Sequence, residues 1–204
     1  MQIENQNDFL SPVALGLARP DIERLANSFA RAYGFEAGMD LLKFAPRLGV
    51  TVFHRNVNES AEQAGASMVV MRPRDLRVYL EMNTSLESDR FGMAHDIGHY
   101  VLHYFVAQKR QGIAEVDMRP LRAFRDTVED QSGSEASWFG SALLLPAAAF
   151  RQSVRRWGGS VSLVAHDFLV SDRLVEMRAR VLGLAAALAG SPGRERASVP
   201  SLLS

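Results

Sequence analysis

The chain has 204 residues, is 47% hydrophobic and 23% charged, and balances 23 Lys+Arg against 23 Asp+Glu. That composition describes one globular domain with at most a small appendage, and it excludes wholesale disorder and a globally basic nucleic-acid binder. Cysteine is absent, which excludes disulfide scaffolds, Cys-ligated zinc and thiol nucleophiles and fits a reducing compartment.

No run approaches about 18 uninterrupted apolar residues, so no membrane span is expected. The first nine residues are polar and include Glu4 and Asp8, unlike a signal peptide, so the expected location is cytoplasmic. Charge is uneven: from Arg151 onward eight Arg stand against four acids, and the first 150 residues are correspondingly acidic.

Residues 1–19 lack periodicity and read as an extended segment. Pro20 opens a helix with Asp21 and Glu23 in its first turn, and Ile22, Leu25, Phe29 and Tyr33 fall along one face. A short helix is expected over 37–45, closed by Pro46. The β-branched run from Gly49 to His54 reads as a strand. A hairpin follows, with arms 66–71 and 76–82 and a turn at 72–75. In its second arm Leu76, Val78, Leu80 and Met82 alternate with Arg77, Tyr79 and Glu81, which gives one buried and one exposed face.

Helical spacing resumes over 87–108. Residues 109–134 read as a charged, irregular connection. A helix over 135–156 follows, bent or split by Pro146, then two short helices over 160–169 and 172–183. The tail from Gly190 reads as disordered. This divides the chain into an extended segment (1–19), a main domain (20–158), a helical cap (159–186) and a tail (187–204).

The segment from Arg90 to His103 carries the chemistry. His95 and His99 stand at i and i+4, one helical turn of about 5.4 Å apart, so both imidazoles project from one face and can grip one ion. Such a site takes a third protein ligand and leaves one position for water. Solvated or core histidines are the plain alternative. Gly98 lets another element approach closely. Asp96 stands where a His-Glu-x-x-His helix has the Glu that moves a proton from zinc-bound water to the leaving amine. It is one methylene shorter, so its carboxylate sits roughly 1 Å further back, a displacement that can cost about 100-fold in rate.

Downstream, Glu135 opens a helix whose Phe139, Ala142 and Leu143 form an apolar stripe. Packed against the histidine helix, it would deliver a carboxylate to the ion. Read alone, Glu135 is better explained as a helix N-terminal acid. The run His95-Asp96-Ile97-Gly98-His99 also resembles the core of the HD-domain phosphohydrolases. Those domains are all-helical, whereas His54, the upstream His here, ends an expected strand.

Together the motifs resemble the ImmA/IrrE family of metallopeptidases. Residues 90–103 match Arg-Phe-Thr-Leu-Ala-His-Glu-Leu-Gly-His-x-Leu-Leu-His. Residues 135–146 match Glu-Ala-Asn-x-Phe-Ala-x-x-Leu-Leu-Met-Pro. Phe168, Val170, Ser171, Arg178, Leu182 and Gly183 match a later pattern. The resemblance covers residues 20–185, with Asp96 and Ser137 as departures.

The resemblance implies an α+β, zincin-like domain: a small mixed sheet and hairpin packed on a zinc-binding helix, an edge strand beside the cleft, and a helical C-terminal part. It implies one Zn²⁺ per chain held by His95, His99 and Glu135, Asp96 as base, and Ser137 steadying a ligating His. Tyr79, Tyr100, His103 and Arg90 are candidate oxyanion or supporting groups. The strand over 76–82 is expected to accept an extended substrate as an added strand.

The implied activity is cleavage of a helix-turn-helix repressor in stress response or mobile-element control. The alternative is a catalytically weak or inactive metal-binding regulator that acts by binding its partner. Arg173, Arg178 and Arg180, with Arg155 and Arg156 nearby, raise direct DNA binding as a second class; a helical cap on the peptidase is the favoured reading.

Overall fold

A sheet and a helix carrying the two histidines pack face to face in this computed structural model, which describes residues 9–55, 66–124 and 130–189. Among the described residues the sheet has four strands, β1 (Val50–Arg55), β2 (Ala66–Arg72), β3 (Asp75–Glu81) and β4 (Leu121–Phe124), in the order β1-β3-β2-β4. β1 runs parallel to β3, while β2 is antiparallel to both β3 and β4. The hairpin falls where the alternation places it, and Arg74 takes the positive φ of 65° in its turn.

Two expectations about the sheet are corrected. β3 is hydrogen-bonded on both sides, so it has no edge to offer a substrate. β4 lies inside the segment read as irregular, with Leu121 and Ala123 inward and Phe124 outward. It is short, and its strand character comes from its pairing with β2.

Helix α1 (Arg19–Tyr33) has proline in its first turn and ends at Gly34, φ 69°. α2 (Leu41–Phe44) starts later than expected because the Asp40 carboxylate accepts from the Leu42 and Lys43 amides and caps it there; a 3₁₀ turn over Ala45–Leu48 leads into β1. α3 (Leu86–His99) passes into a π-helical stretch over Tyr100–Val106 and then α4 (Ala107–Arg110). A widened turn of this kind often sits at a functional site.

α5 (Gln131–Leu144) begins four residues before the expected start, capped by Asp130, which accepts from the Gly133 amide. Glu135 therefore lies in the second turn, not at the helix end. Pro146 separates α5 from α6 (Ala147–Arg156). α7 (Val161–Phe168), α8 (Asp172–Val181) and α9 (Ala185–Ala189) follow. The expected tail beyond 189 and the first eight residues lie outside the described residues.

The core joins one face of the sheet (Met68, Val70, Leu76, Val78, Leu80) to Met93 and Ile97 of α3 and to Phe139 of α5, all fully buried. Each such side chain contributes about 1.5–3 kcal/mol. On α8, Arg178 is buried; its Nε donates to the Leu145 carbonyl at 2.9 Å and its guanidinium to Glu23 at 2.7 Å, tying α8 to α1. Arg180 lies 3.8 Å from Glu176. Among the described residues, no helix is long and apolar enough to cross a membrane. The strands leave no room for an all-helical HD-type fold.

Candidate active site

α3 and α5 cross in close contact because glycine stands at both sides of the crossing. A Cβ on Gly98 would lie 2.7 Å from the Ala136 carbonyl oxygen, and one on Gly140 would lie 3.0 Å from the Ala94 carbonyl carbon and the His95 amide. That approach brings Ser137 of α5 to the histidines of α3. Its hydroxyl is 3.1 Å from His95 Nδ1.

The His95 and His99 Nε2 atoms are 3.1 Å apart. His99 Nδ1 lies 2.9 Å from His103 Nδ1, and His103 Nε2 lies 3.1 Å from Glu135 Oε2. These contacts order the protons. If His103 Nε2–H donates to the carboxylate, His103 Nδ1 is an acceptor, and His99 Nδ1–H donates to it. His99 Nε2 is then a lone pair aimed at His95. Burial and the neighbouring imidazoles hold His99 down to about 2. Burial also holds His103 below the usual imidazole range, against the pull of Glu135. Both rings are thus neutral at neutral pH, the form a metal ligand requires.

Glu135 is fully buried. Its Oε2 also accepts from the Leu15 amide at 2.9 Å, and its Oε1 accepts from the Leu17 amide at 3.2 Å. The carboxylate therefore sits behind His103, in contact with the N-terminal segment. Among the described residues, no group of three or more His, Asp and Glu is arranged to hold a metal ion. The two imidazoles fit zinc: their Nε2 atoms are close enough to share an ion, and each Nδ1 is steadied by a partner, as metal-bound histidines require. Among the described residues, the third ligand is not in place.

Asp96 is fully buried, and its carboxylate accepts from the Ser67 hydroxyl of β2 at 3.0 Å. It thus faces the sheet. The Tyr100 hydroxyl accepts from the Arg74 amide at 2.8 Å in the hairpin turn. Tyr79 stacks on Phe53, and Arg90 donates to the Met39 carbonyl. The structure thus brings together His95, His99, His103, Ser137 and Glu135, and it turns the polar ends of Tyr79, Tyr100 and Arg90 elsewhere.

Two cavities meet at His95. One, about 210 Å³, lies between both histidines, β4 and Ser11 and Pro12. The other, about 630 Å³, is lined by Arg19, Trp138, Met177 and Arg180, with the Arg19 guanidinium 4.5 Å over the Trp138 ring. Asp130 lines both. Sequence reasoning passed over it; its position just ahead of a helix, where Asp serves as N-cap, was the available signal. It also passed over Ser67 and the Leu15 and Leu17 amides, the last of which leave no trace in side-chain identity.

Residues 45–180 match the family model described as the IrrE N-terminal-like domain, a peptidase family. Among solved structures, a Mycobacterium tuberculosis transcriptional regulator is similar in fold, with a TM-score of 0.52 at 16% identity. The similarity covers 78% of this chain and 46% of that one, so the present chain spans less than half the length of that protein. No curated protein matches.

Proposed function

The chain belongs to the IrrE N-terminal-like peptidase family, and on that premise we propose that it is a conditional zinc-dependent endopeptidase acting on an extended segment of a DNA-binding repressor. The observation that carries this reading is the His95–His99 pair, with Nε2 atoms 3.1 Å apart and each Nδ1 anchored. His95 and His99 would hold one zinc ion, and Glu135 would join them once its carboxylate leaves its present partners. The ion would supply a polarised scissile carbonyl and an activated water.

The remaining work falls to the chain. Ser137 orients His95, and His103 orients His99. Asp96 is the carboxylate of α3 next to the pair, and its service as a base requires it to turn from Ser67. Of the two edge strands, β1 and β4, the one beside the cavity that holds both histidines is β4, and an extended peptide would pair there in place of Leu10. The cytoplasm is the proposed location, and control of a stress or mobile-element regulon the proposed setting. Arg178 is committed to Glu23 and Leu145, which favours a protein partner over DNA for the helical cap.

A second reading is favoured by the burial of Asp96 against Ser67: a regulator of peptidase ancestry that binds its partner without cutting it. Elemental analysis of protein prepared without chelator, with His99→Ala beside wild type, tests the metal. About one zinc in wild type and a clear loss in the variant is expected; no zinc in wild type ends the reading. Incubation of zinc-loaded wild type and Asp96→Asn with candidate repressors then separates cleavage from binding.

A further inference from the structure

The segment ahead of α1 lies across the site. Leu10 bridges β4 at Leu121 in parallel, its amide donating to the Pro120 carbonyl at 2.8 Å and its carbonyl accepting from the Arg122 amide at 2.9 Å. Ser11 and Pro12 wall the cavity that contains His95 and His99. Leu10, Leu15 and Leu17 pack on the core. Further along, the Leu15 and Leu17 amides donate to the two oxygens of Glu135. One short stretch thus covers the edge of β4 and occupies the carboxylate that the histidine pair lacks.

We propose that residues 10–17 are an intramolecular strap and that Glu135 is a two-position latch, either holding the strap through the Leu15 and Leu17 amides or joining His95 and His99 on the ion. This rests on the zinc reading above. A carboxylate whose oxygens accept from two amides and a histidine cannot at the same time face an ion on the far side of that histidine. Strap and ion therefore compete for Glu135, and by linkage each weakens the other by the same factor. Metal loading and the opening of the β4 edge to an extended peptide are one event. The strap is held on Glu135 and β4 by four main-chain contacts, few enough for a partner strand to replace.

The test uses the full chain, with zinc chloride as the probe. Zinc affinity is measured by competition with a chromogenic chelator, and amide exchange over residues 10–18 by mass spectrometry. In wild type, saturating zinc is expected to speed exchange at Leu15 and Leu17 at least about 10-fold, because their acceptor has left. A Leu15→Pro/Leu17→Pro double variant, which removes both donors, is expected to bind zinc at least about 10-fold more tightly than wild type. Zinc bound with unchanged or slower exchange overturns the latch and leaves the zinc reading standing, as does a folded double variant with wild-type affinity. No zinc in either protein ends the zinc reading, and the latch with it. The exchange arm needs no substitution, so it decides the matter if the double variant does not fold.

Discussion

The Ser67 hydroxyl meets the Asp96 carboxylate at 3.0 Å in full burial, and this contact joins the histidine helix to the second strand of the sheet. It gives the residue expected to be the base a structural partner. Asp96→Ala removes the acceptor from a buried hydroxyl and is expected to cost about 1–3 kcal/mol. Asp96→Asn keeps an acceptor oxygen for Ser67 and is expected to stay within about 1 kcal/mol of wild type. Urea unfolding of the three proteins checks this. Equal midpoints for Ala and wild type would mean the contact contributes nothing.

The α3–α5 crossing depends on bare backbone at Gly98. A methyl group there lies 2.7 Å from a main-chain oxygen that has no flexible end to swing away. Gly98→Ala is expected to push the helices apart, with a loss of about 1–3 kcal/mol. It also moves Ser137 away from His95, so zinc affinity should fall along with thermal stability. A variant as stable as wild type, with unchanged affinity, contradicts the packing.

Arg178 gives α8 its link to α1. Arg178→Ala leaves Glu23 and the Leu145 carbonyl without their donor. Because Glu23 is partly exposed, the expected cost is about 2–3 kcal/mol, below the range for a fully buried pair. Lysine lacks the planar fork and should restore less than half of it. Wild type in a gel shift at graded salt is expected to form no salt-sensitive DNA complex; a steep salt dependence would revive direct DNA binding.

Acid should weaken the metal-free protein earlier than its carboxylates dictate. The unfolded chain protonates His99 near 6.5, and burial holds the folded form down to about 2. Between those values the unfolded state binds the extra proton, so stability is present above pH 6.5 and is lost as pH falls. The slope is about 1.4 kcal/mol per pH unit from this residue. His103, also lowered, adds loss of the same sign. Urea midpoints from pH 7 to pH 5 in chelator should fall for wild type and fall less steeply for His99→Phe. Parallel slopes would remove His99 as the cause.

What was legible in the sequence was local. The spacing of His95 and His99 fixes their common face because one helical turn separates them. The alternation from Leu76 to Glu81 marks a strand because its period is two. Pro146 ends α5 because it has no amide to give. The tertiary structure decided everything that depends on who lies beside whom. Alternation shows that β3 is a strand but not that β1 and β2 flank it, so the sheet edges fall to β1 and β4, and the four residues of β4 acquire strand character only by pairing with β2. Asp96 follows His95 by one position, about 100° around the helix, and the packing of α3 on the sheet aims it at Ser67. Glu135 shows most plainly why the rest was hidden. Its partners include the amides of Leu15 and Leu17, 120 and 118 positions earlier, and a backbone amide is the same group at nearly every residue, so only the folded chain selects which ones a buried carboxylate meets.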